Sequence, residues 1–578
     1  LRCRNTRSER PPPLTNGVNA MDIKSIQKEL KAQKLSGRIF TLGNLFIGED
    51  ILPEENRICE LTGFTGSYAL LFVTPAKAYL FVDGRYELQA KKEINLRRIE
   101  IVKLSEISFC SWLKNNFAKS SARIAYNPWI ISLSTLNGLK KLLPAAEFIP
   151  AADAGRLLSP KPVKVFTHQK KFTGQVSKDK LAQFAAHIKK CGLDAFLVTS
   201  AASTSWLLNL RSNALPYTPV FRAYVLVEKN GAYKVFAENT DYETALPFAK
   251  LAEILPRYAK LGADFCSTPA AIAGFAPQLA DTADAVAAMK AVKNPTELKG
   301  MRNAHLRDGV ALTKFLFWLS KNYKGKTETE VAEKLLAFRK KELNFYSESF
   351  AAIAGFGANA AVVHYHADEK SAAVLKKNAV LLLDSGGQYY DGTTDVTRTI
   401  ALGEPSADMT EKNTLVLKAH IALASAVFPQ QTSGSELDLI ARQPLLKQGL
   451  DYEHGTGHGV GFFSDVHEGP ARISVHAKNS APLAAGMVTS IEPGYYKENA
   501  FGIRIENLYT VKPAKNPKYL HFEVLTLAPI DKKLINKYML TTEELTWLNR
   551  YHRQVFLSLK KYLTRQELEW LREACAPL

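Results

Sequence analysis

The sequence predicts two α/β modules followed by a larger α+β region, and three observations carry that expectation. Helical and strand-like patterns alternate over the first part of the chain. The same alternation resumes after the breaker run Ser159-Pro160-Lys161-Pro162. Beyond Asn294-Pro295, short strand-like runs lie close together across hairpin-scale loops, the pattern of an antiparallel sheet with packed helices.

In the first module a helical pattern from Met21 leads to two apolar runs, Ala69-Leu70-Leu71-Phe72-Val73 and Ala78-Tyr79-Leu80-Phe81-Val82. A turn at Pro75 separates them and Asp83-Gly84 closes the second. The second module opens with a helix near Ser177 and a strand at Ala195-Phe196-Leu197-Val198-Thr199. In the third region Asn294-Pro295-Thr296 and Glu297 announce a helix running through Ala304 and Val310 to Phe317. After Pro529, Thr541-Thr542-Glu543-Glu544 reads as a capping-box start, and Leu545, Leu548 and Tyr551 follow at helical spacing. This helical tail is expected to pack on the third region. The expected divisions are a disordered extension over 1–20, α/β domains over 21–163 and 164–292, a catalytic domain over 293–515 and a C-terminal extension over 516–578.

Length and composition fit a multidomain globular protein: 578 residues, 46% hydrophobic and 23% charged. Lysine and arginine exceed the acids by 75 − 56 = 19, but the surplus is scattered in pairs such as Lys140-Lys141 and Lys376-Lys377. No nucleic-acid module accompanies it, so a solvated surface without a nucleic-acid partner is expected. The six cysteines form no C-x-x-C pair, which gives neither a zinc knuckle nor a disulfide framework. No apolar run is long enough to span a bilayer, so no membrane partner and a cytoplasmic location are expected. The opening arginines suggest a transit peptide, but Glu9 and Pro11-Pro12-Pro13 spoil an amphipathic helix, and Met21 is a plausible biological start.

The chemistry-bearing residues lie in the third region. Asp384 ends an apolar strand and Asp395 begins the next, so a hairpin would bring their carboxylates face to face. Glu492 follows Met487-Val488-Thr489-Ser490-Ile491 and precedes Pro493-Gly494. In Gly502-Ile503-Arg504-Ile505-Glu506, alternation sets Arg504 and Glu506 on one face, as a solvated strand would equally show. Each acid alone fits a turn or a surface. The run His454-Gly455-Thr456-Gly457-His458-Gly459-Val460-Gly461, with His467 downstream, is more telling. Its glycines disfavour a helix and let backbone approach a ligand. If four carboxylates converge, each pair about 4 Å apart repels by about 4 kcal/mol at an effective dielectric of 20. Two divalent cations would balance them.

The motifs Leu383-Asp384-Ser385-Gly386-Gly387-Gln388-Tyr389, Asp391-Gly392-Thr393-Thr394-Asp395-Val396-Thr397-Arg398-Thr399, the His454 to Gly461 run and Val466-His467-Glu468-Gly469-Pro470 occur in that order. Ser490-Ile491-Glu492-Pro493-Gly494-Tyr495-Tyr496 and Gly502-Ile503-Arg504-Ile505-Glu506-Asn507 follow. Together they closely resemble the signature of the Xaa-Pro aminopeptidases, dinuclear metallopeptidases of the pita-bread fold. The likeness runs from Met21 nearly to the end, through Gly63-Phe64-Thr65-Gly66-Ser67, Asp83-Gly84-Arg85-Tyr86, Trp206-Leu207-Leu208-Asn209-Leu210-Arg211 and Thr526-Leu527-Ala528-Pro529-Ile530-Asp531. It implies the three-domain type, with two creatinase-like α/β modules before a pita-bread catalytic domain built on a curved antiparallel sheet.

By this resemblance the metal ligands are Asp384, Asp395, His458, Glu492 and Glu506, with Asp395 and Glu506 bridging or chelating. Their oxygen-rich set with one imidazole suits two Mn²⁺ or similar ions. The implied reaction removes an N-terminal residue followed by proline, through attack of a metal-bridging hydroxide. Glu492 would also shuttle the proton, His364 and His467 would hold substrate and stabilise the tetrahedral intermediate, and His454 would line the same pocket. Arg504 would orient a ligand carboxylate or serve as a structural ion pair. The N-terminal modules would restrict access and help build a homodimer; Asp83 and Arg85 within them read more simply as a turn and a salt bridge. Ala352, Ala360, Ser212 and Ala214 depart from the family pattern and bear on substrate preference. A prolidase restricted to Xaa-Pro dipeptides is the nearest rival. A non-enzymatic binding protein of the same fold would be expected to have lost ligands that this chain retains.

Overall fold

The computed structural model describes residues 22–118, 120–152, 162–368, 370–475, 477 and 480–578; the extension expected over 1–20 lies outside them. They fall into two compact units. One takes in the chain to Thr167 with Gln175–Leu215 and Val220–Val286, the other His168–Gly174, Pro216–Pro219 and Ala287–Leu578.

The first unit holds two mixed sheets. In the six-stranded sheet the order is Ile99–Lys103, Ala78–Val82, Leu70–Val73, Gly37–Thr41, Arg123–Tyr126, Glu147–Pro150. Leu70–Val73 and Ala78–Val82 are the two strands expected on either side of Pro75, and they pair antiparallel. The outer pairs are parallel, as crossover helices such as Leu133–Leu142 require. The five-stranded sheet centres on Ala195–Val198, fully buried and reached from the helix Ser177–Lys190. Near-continuous apolar strands such as Tyr224–Glu228 are buried on both faces, which is why they show no alternation. Asp83 and Arg85 pair with each other at 2.7 Å, the structural reading of that motif.

The second unit is built on antiparallel ladders. Its entry helix, Pro295–Asn322, begins where the sequence places it: Asn294 caps the backbone N–H of Thr296 and Glu297, and Glu297 returns the bond to Asn294. Three strands, Ile353–Phe356, Ala379–Ser385 and Val396–Leu402, form one ladder. Six more form another in the order Val427–Pro429, Tyr519–Val524, Asn507–Pro513, Val488–Ile491, Gly457–Gly459, Glu468–Ile473. Ala407–Ala424, Gly434–Leu446 and Thr542–Leu559 share one apolar core with these strands, through residues such as Leu417, Leu437, Ile491, Ile503 and Leu548. The tail helix Thr542–Leu559 therefore packs on this unit, buries Trp547, Leu548, Tyr551, His552, Val555 and Leu559, and carries the expected Thr541 and Glu544 capping box.

Candidate metal centre

The ladder Ala379–Ser385 against Val396–Leu402 sets Asp384 opposite Thr397 and leaves Asp395 one residue before the partner strand begins. The two acids thus sit at one end of a hairpin. The loop between them is itself folded into a short ladder, with Gln388 opposite Thr393 and Tyr389 opposite Gly392, rather than a plain turn. Glu492 leaves the strand Val488–Ile491, and its backbone N–H is held by Thr456 O at 2.8 Å.

Arg504 and Glu506 share a face, but the strand they were expected to occupy is interrupted: Phe501–Arg504 and Asn507–Pro513 belong to different sheets. The shared face is buried rather than solvated, with Arg504 and Glu506 only 2% and 1% exposed. Thr397 Oγ1 donates to Glu506 Oε2 at 2.8 Å. Arg504 Nη2 donates to Asp384 Oδ2 at 2.6 Å and Arg504 Nη1 to Tyr496 Oη at 2.7 Å.

The glycine-rich run contains the strand Gly457–Gly459, where a neighbouring backbone requires glycine. A Cβ on Gly457 would meet Ser490 O at 2.1 Å, and one on Gly459 would meet Glu468 O at 2.2 Å. This close packing brings His458 to the acids. Its Nε2 lies 3.4 Å from Glu492 Oε1 and 3.6 Å from Asp395 Oδ2. Its Nδ1 donates to Gly459 O at 2.9 Å, which turns Nε2 toward the acids as the nitrogen a metal would take.

Asp395, His458 and Glu506 each offer a ligand atom, and these atoms lie within 4.8 Å of one another. Asp384 and Glu492 flank them through Arg504 and His458. Burial, then the charges of Asp384 and Glu492, hold the Asp395 carboxyl well above the ordinary range. Burial, then Asp395, Glu492 and Asp384, do the same to Glu506. Burial lifts Glu492 to about 7, with Arg504 opposing and Asp384 adding to the rise. Asp384 Oδ1 and Asp395 Oδ1 are buried with no hydrogen-bond partner among the described residues. Orphaned carboxylate oxygens in a mutually repelling group are what divalent cations would satisfy, so these residues fit a metal centre. The set of oxygens and one imidazole lacks sulfur and suits hard to borderline ions.

The other candidate residues take distinct places. His467 is exposed, with its ring centroid 4.3 Å from that of His458. His454 is half-buried; its Nε2 meets Tyr496 Oη at 2.9 Å, so it reaches the acids through Tyr496 and Arg504 rather than directly. His364 is half-buried and follows Val363, whose carbonyl Arg504 Nη2 approaches at 3.5 Å. Sequence reasoning assigned no role to Tyr496, Thr397 or Arg398, although all three stand inside the quoted motifs. It also missed the pairing of buried Glu468 with Lys290, at 3.0 Å, and with Lys293, which anchors the strand beginning beside His467.

Comparison with known proteins identifies four matched segments. Residues 299–513 match the model of metallopeptidase family M24, and residues 518–578 that of the C-terminal region of this peptidase family. Residues 23–157 and 159–297 each match the creatinase/prolidase N-terminal domain. The Xaa-Pro aminopeptidase 1 of Dictyostelium discoideum is 34% identical over 604 residues, covering 96% of each chain. The chain belongs to metallopeptidase family M24. Aminopeptidase P2 of Arabidopsis thaliana is 33% identical across all of this chain and 93% of its own. The crystal structure of an X-prolyl aminopeptidase from Caenorhabditis elegans, described as a cytosolic enzyme with a di-nuclear active site, superposes with a TM-score of 0.89. It is 33% identical, over 94% of this chain and 95% of that one. The fold is accordingly two creatinase-type α/β modules and a pita-bread domain, as the motifs imply.

Proposed function

We propose that this chain is a metal-dependent aminopeptidase that releases the N-terminal residue from peptides with proline in second position. The observation that carries the reading is its likeness, over 96% of both chains, to a protein named Xaa-Pro aminopeptidase. Proline in second position removes the amide N–H at the scissile bond and fixes the local chain shape, so the substrate calls for a dedicated site.

Asp384, Asp395, His458, Glu492 and Glu506 are proposed to hold two divalent ions, with manganese as the pair used. When bound, such ions lower the pKa of water and stabilise charge on the scissile carbonyl oxygen. The chain's own groups supply the rest. Glu492, whose Oε1 lies 3.4 Å from His458 Nε2, is assigned to take and return the proton that the reaction moves. Arg504 keeps Asp384 Oδ2 occupied and so fixes which oxygen of that carboxylate faces the centre. Tyr496 and His454 fix Arg504 in turn. His467, exposed beside His458, and His364 are assigned to the substrate.

The full chain is proposed to act as a cytoplasmic homodimer, with domains over 21–163, 164–292, 293–515 and 516–578; no helix among the described residues is long and apolar enough to cross a membrane. Sedimentation of the intact chain tests the dimer, and a monomer at micromolar concentration counts against it. Specificity is tested by manganese-loaded protein offered an Xaa-Pro-Yaa tripeptide and a Gly-Pro dipeptide. The proposal expects release of the first residue of the tripeptide. Turnover of the dipeptide alone would instead assign a prolidase.

A further inference from the structure

Glu506 stands in the break between Phe501–Arg504 and Asn507–Pro513, where ladder bonding lapses. Backbone carbonyls buried in such a gap need other donors. Ile505 O faces His420 Nδ1 at 3.1 Å, and His420 Nε2 accepts from Tyr509 Oη at 2.7 Å. Glu506 O accepts from Arg398 Nη1 at 2.7 Å. The adjoining Asn507 Oδ1 accepts from Arg398 Nη2 at 2.8 Å.

Arg398 is 2% exposed, and among the described residues no carboxylate hydrogen-bonds to it. Its remaining bonds go to Thr397 O at 2.8 Å, Pro529 O at 3.0 Å, Ala528 O at 2.8 Å and Tyr551 Oη at 2.8 Å. Tyr551 belongs to the helix Thr542–Leu559 and donates to Ala528 O at 2.7 Å, which closes a ring of bonds around the guanidinium. A buried cation without an ion-pair partner is retained at a desolvation cost, and its planar fork can fix several acceptors at once.

We propose that Arg398 is a positioning residue for Glu506, and that Tyr551 of the C-terminal helix, by fixing Arg398, sets how tightly the centre holds metal. The C-terminal region is on this account a support of the metal site and not an appendage. The proposal rests on the reading of Glu506 as a metal ligand. Residues that orient a ligand from behind commonly change metal affinity about tenfold or more when altered.

The test is isothermal titration of metal-free full-length protein with Mn²⁺, for wild type, Arg398→Lys, Tyr551→Phe and Val555→Ala, with folding checked by circular dichroism. Val555 is fully buried in the same helix and bonds to nothing polar, so its truncation reports loss of packing alone. Arg398→Lys is expected to weaken manganese binding at least about tenfold and Tyr551→Phe about threefold. Val555→Ala, though less stable, should leave the affinity unchanged. If Arg398→Lys does not fold, Tyr551→Phe decides. Wild-type affinity in folded Tyr551→Phe, or equal weakening in Val555→Ala, overturns the proposal while the metal centre stands. A wild type that binds no manganese overturns both.

Discussion

Arg504 and Asp384 lie 120 residues apart in sequence, yet Nη2 of one donates to Oδ2 of the other at 2.6 Å, both nearly out of solvent. The pair does two things at once. It neutralises one acid of a crowded group, and it commits one oxygen of Asp384, leaving Oδ1 without a hydrogen-bond partner among the described residues.

Replacing Arg504 by Gln is therefore expected to weaken both the fold and the centre. Removing one partner of a buried ion pair costs about 3 kcal/mol or more. Urea denaturation of metal-free protein should register that loss, and kcat/KM on an Xaa-Pro-Yaa peptide should fall by about tenfold to a hundredfold. A variant as stable and as active as wild type would reduce the pair to an incidental contact.

The glycine run makes a positional prediction. Gly457→Ala and Gly459→Ala would drive a methyl group into the carbonyls of Ser490 and Glu468, whereas at Gly455 the nearest atom is Ile473 O at 3.4 Å. The first two should lose about 1–3 kcal/mol and most of their metal binding. Gly455→Ala should be near wild type in thermal unfolding.

That contrast illustrates how far the sequence could be read. The motif around His458 marked the site, and periodicity marked the strands, because both are local properties. What the glycines face could not be read, since Ser490 and Glu468 reach them through strand pairings set by the fold. Arg504 and Glu506 looked like one face of a surface strand; only the assembled unit reveals that this face is buried and that the strand breaks between them. Arg398 stood in plain view inside a quoted motif, but its partners Pro529 and Tyr551 come from the far end of the chain. The capping box at Asn294 was fully legible because its atoms lie within a few residues of each other.

The carboxylate group predicts how metal stabilisation varies with pH. In the metal-free protein the Asp395, Glu492 and Glu506 carboxyls titrate above their ordinary values, Glu492 at about 7. The folded state then holds more protons than the unfolded one between the ordinary carboxyl range and about 7. These groups therefore make the metal-free fold progressively less favourable as pH rises through that window. Bound cations remove this penalty and displace the protons. The gain in melting temperature on adding manganese should thus grow from pH 5 to pH 7.5, and a gain independent of pH would contradict the buried carboxylate group.

His420 makes the opposite contribution at acid pH. Burial first, then the Arg398 charge, lowers its pKa to about 3, against an ordinary 6.5. Below about 6.5 the unfolded chain takes up a proton that the folded one refuses, so stability falls as pH falls, by at most about 1.4 kcal/mol per unit. His420→Gln should remove that slope relative to wild type between pH 6 and pH 4. Parallel curves for the two proteins would show that His420 does not titrate as described.

The most direct test of the central claim is the number of manganese ions bound per chain, measured by calorimetric titration of metal-free protein before and after Asp395→Asn. The account predicts two ions for wild type and at most one, held more weakly, for the variant. Wild-type protein that binds no more than one ion, or a variant that still binds two with unchanged affinity, would contradict it.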